Sequence, residues 1–85
     1  MPAEKFPALT VYSRNDCHLC EEMIAGLRVL QGRVRFDLHV ADVGGEPELE
    51  RRYGERVPVL AHGERVLCQH VLEPAAVTAY LERIR

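Results

Sequence analysis

Two cysteines three positions apart, Cys17 and Cys20, stand where one hydrophobic rhythm gives way to another. Before them, Leu9-Thr10-Val11-Tyr12-Ser13 is β-branched and aromatic, the composition of a strand. Arg14-Asn15-Asp16 then turns the chain. From His18 onward, Leu19, Met23, Leu27 and Leu30 recur at helical spacing, with Cys20 and Ile24 widening the stripe. Glu21 and Glu22 in the first turn and Arg28 near the end suit the helix dipole. Gly32 is expected to form a left-handed C-terminal cap. Gly26 lies inside the helix, where it costs about 1 kcal/mol relative to Ala, and a close helix–sheet contact is one reason to keep it.

The remaining segments restrict the architecture further. Val34, Phe36, Leu38 and Val40 alternate with Arg35, Asp37 and His39, a period-two strand. Asp42-Val43-Gly44-Gly45 is a loop, and Pro47 to Tyr53 reads as a short helix stopped by Gly54. Val57 to Ala61 and Glu64 to Cys68 read as two strands joined by a hairpin turn at His62-Gly63. Glu73-Pro74 opens a last helix with an apolar face of Val77, Leu81 and Ile84, and Tyr80 beside it. The order is β-α-β-α-β-β-α, an α/β fold in one domain over residues 1–85. If the first two strands lie parallel in one sheet, the crossover between them is right-handed. The closing hairpin is antiparallel, so the expected closure is a four-stranded mixed sheet with helices on both faces.

Composition excludes several classes of function. The chain is 47% hydrophobic and 28% charged, an ordinary globular mixture without a low-complexity tract. Its net charge is −2 and its basic residues form no run, so the phosphate-neutralising attraction that drives nucleic-acid binding is weak. No apolar stretch approaches the roughly 20 residues that span a bilayer. The leading segment Met1 to Pro7 has no apolar core of a secretory signal. The expectation is a cytoplasmic protein with neither nucleic acid nor membrane as partner. Three cysteines, an odd number, do not make a structural disulfide framework, and in a reducing compartment thiols serve catalysis, metal binding or packing.

The chemistry follows from where the cysteines fall. A thiolate is the nucleophile in disulfide exchange, and Cys17 lies at a helix N-terminus, where free N–H groups and the positive dipole end favour negative charge. Cysteines so placed have pKa values lowered from about 8.5 to roughly 3.5–7.5. Cys20, one turn deeper, is within reach of a mixed disulfide at Cys17, so Cys17 attacks and Cys20 resolves. His18 between them would favour the thiolate as imidazolium, or shuttle a proton when neutral. Two other readings compete: Cys20 as a small core residue, and a zinc site that recruits His18 and Cys68. A structural zinc site usually takes a second ligand pair from another C-x-x-C or an H-x-x-x-H, and the chain contains neither. Cys68, at the end of the last strand, is read as a buried hydrophobe. His39, His62 and His70 are read as surface or turn residues, with His70 just past the hairpin.

Leu9 to Ser13, the Cys17/Cys20 pair, the alternating strand and Val57-Pro58 together resemble the glutaredoxin-like branch of the thioredoxin superfamily. The resemblance implies that the Val57–Pro58 peptide is cis, a state found before only about 5–6% of prolines, and that Pro58 packs against the cysteines. It also implies that the backbone of Val57 pairs with an extended substrate. Arg14 matches a basic position that often helps to bind glutathione. Several positions depart from the family. Arg56 stands where glutaredoxins usually carry Thr, and Leu67-Cys68-Gln69-His70 lacks their Gly-Gly pair and following Asp. Val11 replaces the Asp that thioredoxins bury six residues before the nucleophile, and the Cys-His-Leu-Cys quartet carries no proline.

The expected function is thiol–disulfide exchange, with Cys17 and Cys20 catalytic and Arg14, His18, Val57 and Pro58 on the substrate. The partner is a disulfide-bearing protein or a small-thiol disulfide. No cofactor or metal is expected beyond an external reductant, either glutathione or a dithiol reductase. The competing classes are a thioredoxin-fold binding module or metal carrier using the same cysteines, and an interaction domain in which the C-x-x-C is a remnant.

Overall fold

The computed structural model describes residues 6–84, so the lead at Met1 to Lys5, and Arg85, lie outside the described residues. Seven elements follow in the expected order: β1 (Ala8–Ser13), α1 (His18–Leu30), β2 (Asp37–Asp42), α2 (Pro47–Tyr53), β3 (Val59–His62), β4 (Arg65–Gln69) and α3 (Pro74–Arg83). They form one four-stranded sheet in the order β2-β1-β3-β4. β1 pairs parallel with β2, and antiparallel with β3, which pairs antiparallel with β4. The sheet is mixed because a helix separates β1 from β2, whereas a two-residue turn joins β3 to β4.

Strand alternation sends neighbouring side chains to opposite faces. Leu9 and Val11 of β1, with Leu60 of β3 and Cys68 of β4, join Met23, Leu27 and Leu30 of α1 and Val77, Tyr80 and Leu81 of α3 in one buried cluster. Tyr12 and Val59, one residue out of phase, join Val43, Leu49, Val57 and Tyr53 of α2 in a second, smaller cluster. Helices therefore cover both faces. The buried Tyr80 hydroxyl lies 2.5 Å from His62 Nδ1, and among the described residues no buried side-chain nitrogen or oxygen lacks a partner. No helix among the described residues is long and apolar enough to cross a membrane.

Several local expectations are corrected. The alternating run from Val34 enters the ladder only at Asp37, which pairs with Ala8, the first residue of β1. Residues 34–36 run ahead of that register and instead close the end of α1, through Val34 N–H to Leu30 O and Gln31 Nε2 to Phe36 O. Val40 is 46% exposed, since β2 is the edge strand. Leu19, counted in the core stripe of α1, is 45% exposed, and the buried stripe is Cys20, Met23, Leu27 and Leu30. Ile84 is 41% exposed because α3 ends before it. The hairpin turn is Gly63-Glu64, one residue later than expected, with φ +61° at Gly63, a conformation that a side chain would strain. Gly32 has no left-handed φ, and its N–H closes a tight turn on Val29 O. Gly26 does face a close neighbour, but that neighbour is Leu72 of the β4–α3 loop: a Cβ at Gly26 would stand 2.7 Å from Leu72 Cδ2.

Candidate active site

β1, β3 and β4 bring three chain segments to one end of the sheet. β1 finishes at Ser13 and feeds the turn before Cys17. β3 begins at Val59, opposite Tyr12, immediately after Val57–Pro58. β4 ends at Gln69, opposite Val59, and the N–H of His70 donates to Pro58 O at 2.8 Å. The Val57–Pro58 peptide is cis, as the resemblance implies, with Pro58 fully buried and Val57 half-buried.

Cys17 is the N-cap of α1. Its backbone is extended (φ −117°, ψ 105°), and its Sγ accepts the N–H of Cys20 at 3.1 Å. A capping side chain normally uses an oxygen to accept a first-turn N–H; here sulfur takes that place, so any negative charge on Cys17 meets a donor and the positive end of a 13-residue helix. Asp16 reaches this entry with φ +57°, a left-handed conformation that Asp tolerates better than most residues. Cys17 and Cys20 are joined as a disulfide, their Cα atoms 5.2 Å apart. Their exposures differ: Cys17 is half-buried, whereas Cys20 is 1% exposed.

His18 projects from the first turn, with Nε2 2.7 Å from Glu22 Oε2. Arg14 turns toward α2: its guanidinium donates to both carboxylate oxygens of Glu50, at 3.1 and 2.5 Å, and to Gly54 O at 2.8 Å. This pairing raises the Arg14 pKa and holds the Glu50 carboxyl below its ordinary value, in each case chiefly through the shared hydrogen bond. A Cβ at Gly54 would collide with Glu50 and crowd the Arg14 guanidinium, so glycine at this helix end makes room for the pair. Beside it, the rings of Tyr12 and Tyr53 stack at 4.1 Å, and burial, then the neighbouring Tyr53, pushes the Tyr12 pKa up. Arg56 lies over the Tyr53 ring and donates to Arg52 O and Gln69 Oε1.

Cys68 is 3% exposed, and burial raises its thiol pKa above the ordinary value. Among the described residues no group of three or more His, Cys, Asp or Glu side chains gathers at metal-ligating distance, so Cys68 does not form one with Cys17 and Cys20. Val11 is fully buried and apolar, paired with Leu60, at the position where thioredoxins carry their buried acid.

Beyond His70, just past the hairpin, no pattern in the sequence marks the wall opposite α1. Leu19, Glu22 and Met23 of α1 face His70, Val71 and Leu72 across a cleft of about 170 Å³. Val71 is 64% exposed. The available signal was an apolar Val71-Leu72 pair outside any periodic segment.

The sequence matches the Glutaredoxin-like domain (DUF836) family over residues 8–82. The chain is a member of this family. The Cys17/Cys20 pair of this glutaredoxin-like chain thus sits in a thioredoxin fold, an arrangement consistent with redox function. The solution structure of protein Ne2328 from Nitrosomonas europaea is similar over 95% of this chain and 98% of that one, with 43% identity and a TM-score of 0.80. The crystal structure of target protein XcR50 from X. campestris is 29% identical, covers 88% of this chain and 96% of its own, and has a TM-score of 0.65. Thioredoxin 1 from Thermosipho africanus, at 16% identity and a TM-score of 0.62 over 91% of this chain and 97% of its own, shares the fold. Comparison with curated proteins gives no match.

Proposed function

We propose that the protein is a thiol–disulfide oxidoreductase in which Cys17 is the nucleophile and Cys20 the resolving thiol. The observation that carries this reading is the asymmetry of the pair: the helix-capping Cys17 is half-buried, and Cys20 is closed off behind it. In the reduced protein the N-cap position favours a thiolate at Cys17. That thiolate attacks one sulfur of a substrate disulfide. The Cys17–substrate bond forms as the substrate S–S bond breaks, and the departing thiolate takes a proton from solvent. The Cys20 thiol then loses its proton and attacks Cys17 Sγ, releasing the second substrate thiol and leaving the Cys17–Cys20 disulfide. Two electrons have passed to the substrate, and two thiols of an external reductant, glutathione or a dithiol reductase, restore the pair.

The test is disulfide reduction by the parent, Cys17→Ser and Cys20→Ser chains, with glutathione and a dithiol as alternative donors. The parent is expected to turn over, and Cys17→Ser to fall to background. Cys20→Ser should accumulate a mixed disulfide at Cys17, detected by intact mass. No exchange above background by the parent with either donor defeats the proposal. A mixed disulfide that forms at Cys20 instead of Cys17 reverses the roles.

A further inference from the structure

The cleft between α1 and residues 70–72 is lined by Leu19, Met23, Val71 and Leu72, with Glu22 and His70. One wall is the first two turns of α1, which follow the N-cap Cys17 and carry Cys20; the other is the loop of residues 70–72, tied to Pro58 through the His70 N–H. Leu19, between the two cysteines, and Val71 expose apolar surface at its mouth, at 45% and 64%. Its volume of about 170 Å³ compares with the roughly 150 Å³ apolar cavity that accepts benzene. That is room for one medium-sized apolar side chain.

Glu22 is the one acidic residue that lines the cleft. Arg14 is engaged by Glu50 and Gly54 O and Arg56 by Arg52 O and Gln69, and His18 Nε2 lies 2.7 Å from Glu22 Oε2. His70 lines the opposite wall. The Glu22 side chain remains 61% exposed. Glutathione carries two carboxylates against one ammonium and no apolar side chain, so Glu22 disfavours its net negative charge and the cleft gains little from it.

Resting on the redox reading above, the geometry points to a particular substrate class: the disulfide of a protein segment that places an apolar side chain in this cleft, with a Lys or Arg beside it facing Glu22. Leu19, which lines the cleft, stands between Cys17 and Cys20 in the chain, and a residue adjoining the substrate cysteine would enter the cleft as the sulfur meets Cys17. Glu22 selects the charge, and Leu19 and Val71 select the apolar side chain.

The test uses disulfide-linked homodimers of four short peptides, in which Leu or Ser and Lys or Glu adjoin the Cys, together with glutathione disulfide. A dithiol is the electron donor in each case. The parent chain is expected to show its highest kcat/KM on the Leu–Lys peptide. The value should fall about tenfold for Ser in place of Leu, fall about threefold for Glu in place of Lys, and be lowest for glutathione disulfide. Glu22→Lys should reverse the Lys/Glu preference, and Val71→Ser should shrink the Leu/Ser ratio. Because each readout is a ratio of two substrates on one chain, a general loss of activity does not imitate it. If Glu22→Lys does not fold, Glu22→Gln must flatten the Lys/Glu ratio. Equal kcat/KM on all five disulfides, or ratios unchanged by the variants, overturns the inference and leaves the redox reading standing. No exchange by the parent on any of them, with the dithiol or with glutathione as donor, overturns the redox reading itself.

Discussion

On one face of the sheet, α1 and α3 close over Leu9, Val11, Leu60 and Cys68 with a continuous apolar layer. On the other, α2 has only Tyr53 and the partly buried Leu49 to set against Val43 and Val59, and polar ties do the rest. Arg14 reaches Glu50 and Gly54, Arg56 reaches Arg52 and Gln69, and Tyr12 stacks on Tyr53. A helix of seven residues buries too little to hold its face by apolar area alone, so directional contacts supplement it. The difference bears on the site. The apolar face supplies the helix that carries the cysteines, and the polar face fixes the two loops that frame them, at Arg14 and at Arg56.

The largest effect that separates the faces is chemical. Cys68 belongs to the apolar cluster, and burial raises its pKa, whereas Cys17 caps a helix at the open end. In the reduced native chain at neutral pH, Cys17 should alkylate first, and Cys68 at least about a hundredfold more slowly, reacting through opening of the fold. Timed alkylation read by peptide mass checks this. Comparable rates for the two would mean that the apolar face is not closed around β4.

A matched pair of substitutions compares the packing itself. Val11 and Val59 are both fully buried on adjacent strands, Val11 in the larger cluster and Val59 in the smaller. Each change to Ala removes about two methylene equivalents, roughly 1.6 kcal/mol of transfer free energy. A cavity adds to that cost where the surroundings cannot collapse. Val11→Ala should therefore cost about 2–3 kcal/mol and Val59→Ala about 1.6–2, close to the transfer value alone. Urea midpoints at constant slope measure both, and equal losses would dissolve the distinction between the faces.

These contrasts were legible in the sequence to different depths. The strand-to-helix handover at Cys17, the element order and the hairpin rest on local periodicity, which tertiary context rarely reverses over several residues. Periodicity tells which side chains share a helix face, but not how far the helix overhangs its sheet. Leu19, in phase with buried neighbours, is therefore exposed, and Ile84 is exposed because α3 ends before it. The edge position of β2, which no local pattern announces, leaves Val40 open. The cis bond at Pro58 came from the family resemblance and from no spacing in the chain. The Arg14–Glu50 pair joins residues 36 positions apart, and neither residue type at either place announces the other. Leu72 against Gly26 is similar: a glycine within a helix signals that something approaches, but not what.

The smallest expected effect tests the polar face. Arg14 holds the Glu50 carboxyl below its ordinary value in the folded chain, chiefly through their hydrogen bond. A carboxyl whose pKa is depressed by folding adds stability at pH above its unfolded value, and that contribution is lost as pH falls through the folded value. Glu50→Gln should thus be less stable than the parent at neutral pH. The gap should close as the medium is acidified below the ordinary glutamate range, where the parent loses the charge and the variant has none to lose. Both side chains are substantially exposed, at 39% and 43%, so solvent and salt screen the pair and the gap is small. Urea midpoints of the two chains over a pH series, at low and at high salt, read it directly. A gap that persists unchanged into acid would mean that α2 is held by Tyr53 and its apolar neighbours, and that Arg14 fixes the loop before Cys17 through Gly54 O alone.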